Sequence, residues 1–409
     1  MVLGVCALML AAGFLFKGQC LEPWVDLRQY ERLCYNDIQP LYAIRGIEER
    51  LFPYIGGSLL GGQLVNGAIE YPVLTGVFMW ASGHFAADVD SYLVVSAALL
   101  APFGLIAAYL LGRLAGWRAL MWAAAPGLIL YSFHNWDLLV VAAACAGIYA
   151  WATGRYRWSA VWFGIGAAFK MYPIFFLAPL SLDRWRSGDR KGAAATLAAG
   201  VGTVVAINLP FAVRNFDGWS ATYVFHQART ADFNSIWHWA TPDLALEKLN
   251  LYTAALTAAF FGIALAAGWW RARRDGVYPF LQVCAAMLAA FLLWNKVHSP
   301  QYALWLLPFF VLVRVHVALW AAYSLVDLAF YVGIFRWFYD MQFRGVEDTL
   351  MKQVMLASLW GRAALLLVLF VAFLMAPSAV ARHEEQTEEV VSHPPSSLSG
   401  VGESAPAPS

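Results

Sequence analysis

About twelve apolar runs, most near the ~20 residues that a helix needs to cross a bilayer, constrain this chain more than anything else. They fall near residues 1–16, 91–112, 118–133, 137–153, 158–170, 172–183, 192–212, 250–270, 277–294, 302–314, 316–335 and 351–376. The chain is 61% hydrophobic and 13% charged, against about 25% charged in soluble domains. Too little polar surface remains to close around one soluble core. The spacing predicts an all-α, polytopic transmembrane bundle. The 16% of aromatic residues, 19 of them Trp, suit membrane interfaces, where amphipathic rings settle. Residues 1–16 lack a basic leader and a clear cleavage site, so they read as an uncleaved first span rather than a signal peptide. The runs 158–170 and 172–183 are short and separated by Tyr172-Pro173. Broken helices persist where protein or a water-filled cavity surrounds them, which places a cavity nearby.

The segment 72–85 is ambiguous. Left uncounted, as a re-entrant or interfacial helix, it lets the basic residues sort onto one face: Arg113 and Arg118, Arg155 and Arg157, Arg184 to Lys191, Arg271 to Arg274, and Arg382. Short loops rich in Lys and Arg mark the cytoplasmic side, so both termini are expected inside. The long loop 17–71, the turn 134–137, the loop 213–249 and the stretches 295–301 and 336–350 then share the outer face of the cell membrane. Residues 1–382 form one membrane domain, and the acidic, Pro/Ser-rich tail 383–409 is expected to be a disordered cytoplasmic segment. A net charge of +1 argues against a nucleic-acid partner. Five cysteines without a C-x-x-C pair indicate no metal site. Cys20 and Cys34 share the first loop and either pair as a disulfide in an oxidising compartment or remain two small free residues.

The polar clusters collect in those outer segments. Asp37 lies in a loop of about 55 residues, far longer than a connection needs. It could take a proton from an attacking hydroxyl as a general base or cap an interfacial helix. Glu70, before Tyr71-Pro72, reads as a second acid or as a turn residue. Asn135 and Asp137 could position a substrate, or Asp137 could simply start a helix whose dipole favours an anion. Lys170 ends an apolar run, where it snorkels to the interface or meets a lipid phosphate. Lys296, His298 and Gln301 stand close together before a Pro-bounded turn and could stabilise a phosphate leaving group. Arg229 offers a planar fork of donors for the same purpose. No P-loop, G-x-S-x-G, H-E-x-x-H or dinucleotide fingerprint appears, which disfavours a nucleotide-driven pump.

In order and spacing, the segments YNDIQPLY (35–42), EYPVLTG (70–76), NWDLL (135–139), GAAFKMYP (166–173) and NKVHSPQY (295–302) resemble glycosyltransferase family 87, over residues from about 30 to 310. That resemblance implies a GT-C-type fold and a polyprenyl-phosphate-mannose donor. It further implies inverting transfer to a glycolipid or glycan acceptor on the extracytoplasmic face. The first-loop aspartate is the base in such enzymes, which maps to Asp37, and no metal or other cofactor is implied. The cations that would receive the leaving phosphate are then, in falling order, Lys296, His298, Arg229 and Lys170. His298 departs from the apolar residue usual at its position. A transporter or lipid-linked sugar flippase is the alternative from another class. It would be expected to carry midplane ionisable groups and internal repeat symmetry. A third reading is an inactive family member retained as an assembly partner.

Overall fold

The computed structural model describes residues 1–21, 24 and 27–380. The tail 383–409 and Arg382 lie outside the described residues. Within them the chain is overwhelmingly helical, with one small hairpin pairing Ser58–Leu60 antiparallel to Gln63–Val65. Gly61 and Gly62 close that hairpin at φ 55° and 80°, a left-handed pair that a side chain would oppose.

Five helices among the described residues are long and apolar enough to cross a membrane: Val89–Ala123, Arg190–Arg214, Leu246–Asp275, Val317–Phe343 and Leu350–Met375. The expectation of about twelve spans is corrected accordingly. Most of the remaining runs form helices that are too short. Val2–Gly18 has 17 residues, Asp137–Ala152 has 16, Phe280–Trp294 has 15 and Tyr156–Phe169 has 14. Fifteen residues rise only ~22 Å, against a hydrocarbon core of ~30 Å. Proline causes several of the breaks. Ala125 turns extended before Pro126, so the run 118–133 splits into short pieces. Pro173 and Pro300 each start a 3-10 turn, Tyr172–Phe176 and Pro300–Tyr302. The ambiguous segment becomes an 11-residue helix, Val73–Gly83, about half the length of a span.

Burial explains why short helices are tolerated. Asp137–Ala152, Phe280–Trp294 and Ala303–Leu312 are buried along nearly their whole length. Neighbouring helices, not lipid, therefore surround their ends. The long helices Arg190–Arg214 and Leu246–Asp275 are the opposite case. Only 17% and 11% of their most apolar stretches are buried, leaving Val201, Val205, Leu209 and Ile263 exposed. Apolar surface of that extent fits hydrocarbon rather than water. Close helix contact uses small residues, as usual in membranes: a Cβ on Gly164 would lie 2.7 Å from the Gly200 carbonyl oxygen.

The bundle has two chemically different ends. At one, Arg118 donates to the carbonyls of Phe310, Val311 and Val313, Arg271 to those of Leu374 and Ala376, and Arg186 to that of Ala272. The helix Leu246–Asp275 runs from there to Asn250, which meets Lys296 at the far end. The helix Tyr156–Phe169 likewise starts beside Arg155 and ends at Lys170. The far end carries the polar clusters.

Candidate active site

The first loop is fastened before it reaches Asp37. A disulfide joins Cys20 to Cys34, with Cα atoms 6.1 Å apart. The Lys17 ammonium, fully buried, donates to the Tyr35 carbonyl at 2.6 Å. The chain then enters the helix Ile38–Ile44 with Asp37 at its N-cap position, yet the Asp37 carboxylate makes no capping bond. Asn36 does that work, its Oδ1 accepting from the Gln39 N–H at 2.9 Å. The capping role weighed for Asp37 thus falls to its neighbour. The freed carboxylate accepts instead from the Tyr35 hydroxyl at 3.0 Å, from Asn135 Nδ2 at 2.8 Å and, more weakly, from Gln301 Nε2 at 3.5 Å. The Asp37 N–H donates to the His134 carbonyl at 2.7 Å, so backbone and side chain are both fixed.

The turn 134–137 connects this acid to a cation. Asn135 Oδ1 accepts from Lys170 Nζ at 3.2 Å, while its Nδ2 also donates to the Tyr71 hydroxyl at 2.7 Å. Asp137 stands in the first turn of its helix, but its carboxylate is engaged elsewhere. It pairs with Lys170 at 3.1 Å and accepts from Trp305 Nε1 at 2.7 Å. Lys170 does not snorkel. Backbone angles of φ −152° and ψ 140° end the helix Tyr156–Phe169 at this residue, and the side chain is buried. Its ammonium also lies 4.8 Å from the Tyr71 ring centroid, a favourable cation–π distance.

Asp37, Tyr71 and Lys170 border a cavity of about 350 Å³, and Asn135 and Asp137 stand behind its lining. Asp37, Glu70, Tyr71, Lys170, Arg229 and Gln301 line its polar side, and Ile334, Phe335 and Phe338 form an apolar wall. Glu70 is held by Arg45 through two bonds of 2.6 and 3.1 Å. Arg229 pairs with Asp232 at 2.9 Å and stays about one-third exposed. Burial raises the pKa of Asp37 above the ordinary aspartate value; the bonds from Asn135 and Tyr35 and the charge of Lys170 oppose the rise, and Glu70 adds to it. A base with a raised pKa binds its proton more strongly, and that favours proton abstraction. His226, also on the wall, is pushed down by burial against a partly compensating bond to the Glu70 carbonyl.

Two expected phosphate ligands sit elsewhere. Lys296 does not border the cavity. Its ammonium donates to the carbonyls of Gln227 and Arg229 at 3.1 and 2.6 Å and to Asn250 Oδ1 at 2.6 Å. It therefore anchors the loop that presents Arg229, and burial, followed by the Arg229 charge, lowers its pKa. His298 borders a separate small gap with Arg362 and Asn234; burial and then the Arg362 charge push its pKa well down. Lys170 and Arg229, the last two in the expected order, line the cavity, whereas Lys296 and His298, the first two, do not. Within the site, Asn135 links Asp37 to Lys170. Sequence reasoning missed Lys17 and Tyr71. The signal for Lys17 was a lone cation where an apolar run meets a long loop. Among the described residues, no group of three or more His, Cys, Asp or Glu side chains is arranged to hold a metal ion.

Over 181 residues the chain is 23% identical to GPI mannosyltransferase 1 of Saccharomyces cerevisiae, covering 40% of this chain and 44% of that protein. The chain thus spans less than half of that relative's length. The model of glycosyltransferase family 87 matches residues 69–294, a segment that includes Glu70, Asn135, Asp137, Lys170 and Arg229 but not Asp37 or Gln301. That match covers more than half of the 409 residues, and the chain belongs to glycosyltransferase family 87.

Proposed function

We propose that this protein transfers a hexose, mannose in the first instance, from a polyprenyl-phosphate sugar to a glycolipid or glycan acceptor with inversion at the anomeric carbon. The observation that carries the reading is Asp37, a carboxylate at a cavity wall, relieved of capping by Asn36 and joined through Asn135 to the buried cation Lys170. The acceptor oxygen forms a bond to the anomeric carbon while the bond from that carbon to the phosphate oxygen breaks. The hydroxyl proton passes to Asp37, and the electron pair of the broken bond stays on the departing phosphate. Lys170 and Arg229 stand on the same cavity to stabilise that charge, an arrangement most effective where water is scarce. One base and a stabilised leaving group suffice for inversion, whereas a hydrolase needs two carboxylates. The cavity would open extracytoplasmically, since the Arg-rich end of the bundle lies opposite it and basic residues favour the cytoplasmic side. Family membership favours this reading over a flippase.

The test is incubation of the purified protein with radiolabelled polyprenyl-phosphate-mannose and a membrane lipid extract. A labelled glycolipid that depends on Asp37 is the expected product. Absence of any labelled product, with intact donor recovered, overturns the donor assignment.

A further inference from the structure

Lys17 is a fully buried cation that the reaction above leaves unused. It closes the helix Val2–Gly18, where its ammonium is removed from solvent altogether. A lysine in that position is costly unless its three N–H bonds find partners. They reach three different parts of the chain. Nζ lies 2.6 Å from the Tyr35 carbonyl in the first loop, 2.7 Å from the Tyr331 hydroxyl on the helix Val317–Phe343, and 3.3 Å from His134 Nδ1 in the turn before Asp137. Tyr331 in turn donates to the Leu33 carbonyl at 2.6 Å. Two of the three partners also contact Asp37, which accepts from the Tyr35 hydroxyl and donates its N–H to the His134 carbonyl. Asp37 is also a carboxylate whose charge reaches Lys17.

We infer that Lys17 is a positioning residue for the base, locking the first loop, the turn 134–137 and the helix Val317–Phe343 into the one arrangement that presents Asp37 to the cavity. This rests on the reading of Asp37 as base. Lys17 touches neither the cavity nor, by this geometry, the donor, so its loss should act on turnover rather than on donor binding. Small displacements of a reacting group reduce rate steeply, whereas uniform binding lost elsewhere would raise KM instead.

The experiment compares Lys17→Met, Lys17→Arg and Tyr331→Phe with Asp37→Asn in the same membrane preparation, measuring donor KM and kcat. Lys17→Met is expected to lower kcat by roughly 10- to 100-fold at unchanged donor KM. Lys17→Arg, which restores a charged donor, should recover part of the loss, and Tyr331→Phe should give a smaller loss of the same kind. Wild-type kcat in both Lys17→Met and Tyr331→Phe, with Asp37→Asn inactive, overturns the inference and leaves the base intact. A rise in donor KM that matches the fall in kcat/KM also overturns it. Should Lys17→Met fail to accumulate, Tyr331→Phe decides alone, wild-type kcat refuting the inference. Full activity in Asp37→Asn is a different failure, that of the base itself.

Discussion

Asn135 donates to Asp37 across 2.8 Å, and this bond fixes which way its amide faces. With Nδ2 committed to the carboxylate, Oδ1 is presented to Lys170 at 3.2 Å, so one short side chain bridges a carboxylate and an ammonium. Asn135→Leu keeps the approximate volume and removes both bonds. Transfer should fall by about 10²-fold, in line with losing a preorganised donor, while donor binding changes less. Steady-state kinetics on lipid-linked donor check this; a wild-type kcat would remove Asn135 from the site.

Asp37→Asn should lower transfer by roughly 10²–10⁴-fold, the usual contribution of a positioned base, with membrane accumulation unchanged. The pH profile gives a second reading of the same group. A base must be ionised, and burial raises the pKa of Asp37. Activity should therefore be lost on acidification at a pH above the ordinary aspartate value of ~3.9. Lys170 opposes that rise, so Lys170→Met should move the acid limb further up. A limb that stays in place or moves down would separate Lys170 from the base.

The same substitution has a stability consequence. Lys170 and Asp137 form a buried ion pair at 3.1 Å, and removing one partner from such a pair typically costs ~3–5 kcal/mol because the other charge is stranded. Lys170→Met should lower the melting temperature in detergent. Lys170→Met combined with Asp137→Leu should regain much of the loss while remaining slow in transfer. An unchanged melting temperature in the single variant would show that the pair contributes little.

Lys296→Ala removes two bonds to backbone carbonyls that hold the loop 227–232 and a third to Asn250. The expected result is a several-fold weaker donor KM through a displaced Arg229, with a smaller change in kcat. Arg229→Ala should give the same phenotype, and the double variant should add little to either. Additive losses would mean that Lys296 acts independently of the loop.

Sidedness is tested by single cysteines. Glu48 and Arg274 are both exposed, and the three native free cysteines are buried. An impermeant maleimide applied to intact cells should label Glu48→Cys and spare Arg274→Cys. The reverse pattern would invert the topology.

What the sequence revealed followed from strong, local physics. Apolar runs marked the helices, and the long loop with its Asp marked the acid, because neither feature depends on packing. The breaks were half legible: Pro173 announced its turn, whereas the true length of Phe280–Trp294 depended on where its neighbours ended. Side-chain direction was not legible at all. Lys296 and Lys170 look alike in sequence, each a cation closing an apolar run. Only the extended backbone at Lys170, and the carbonyls waiting for Lys296, decide which ammonium reaches the cavity. Likewise, Asn36 and Asp37 are adjacent and both able to cap, and the helix register selects the amide.

The apolar wall of Ile334, Phe335 and Phe338 comes from the penultimate long helix, roughly three hundred residues after the acid it faces. A nascent chain that has inserted its first helices already carries Asp37 but not this wall. On the proposed function, a fragment that stops short of Ile334 should be inert for want of this wall rather than through any separate control.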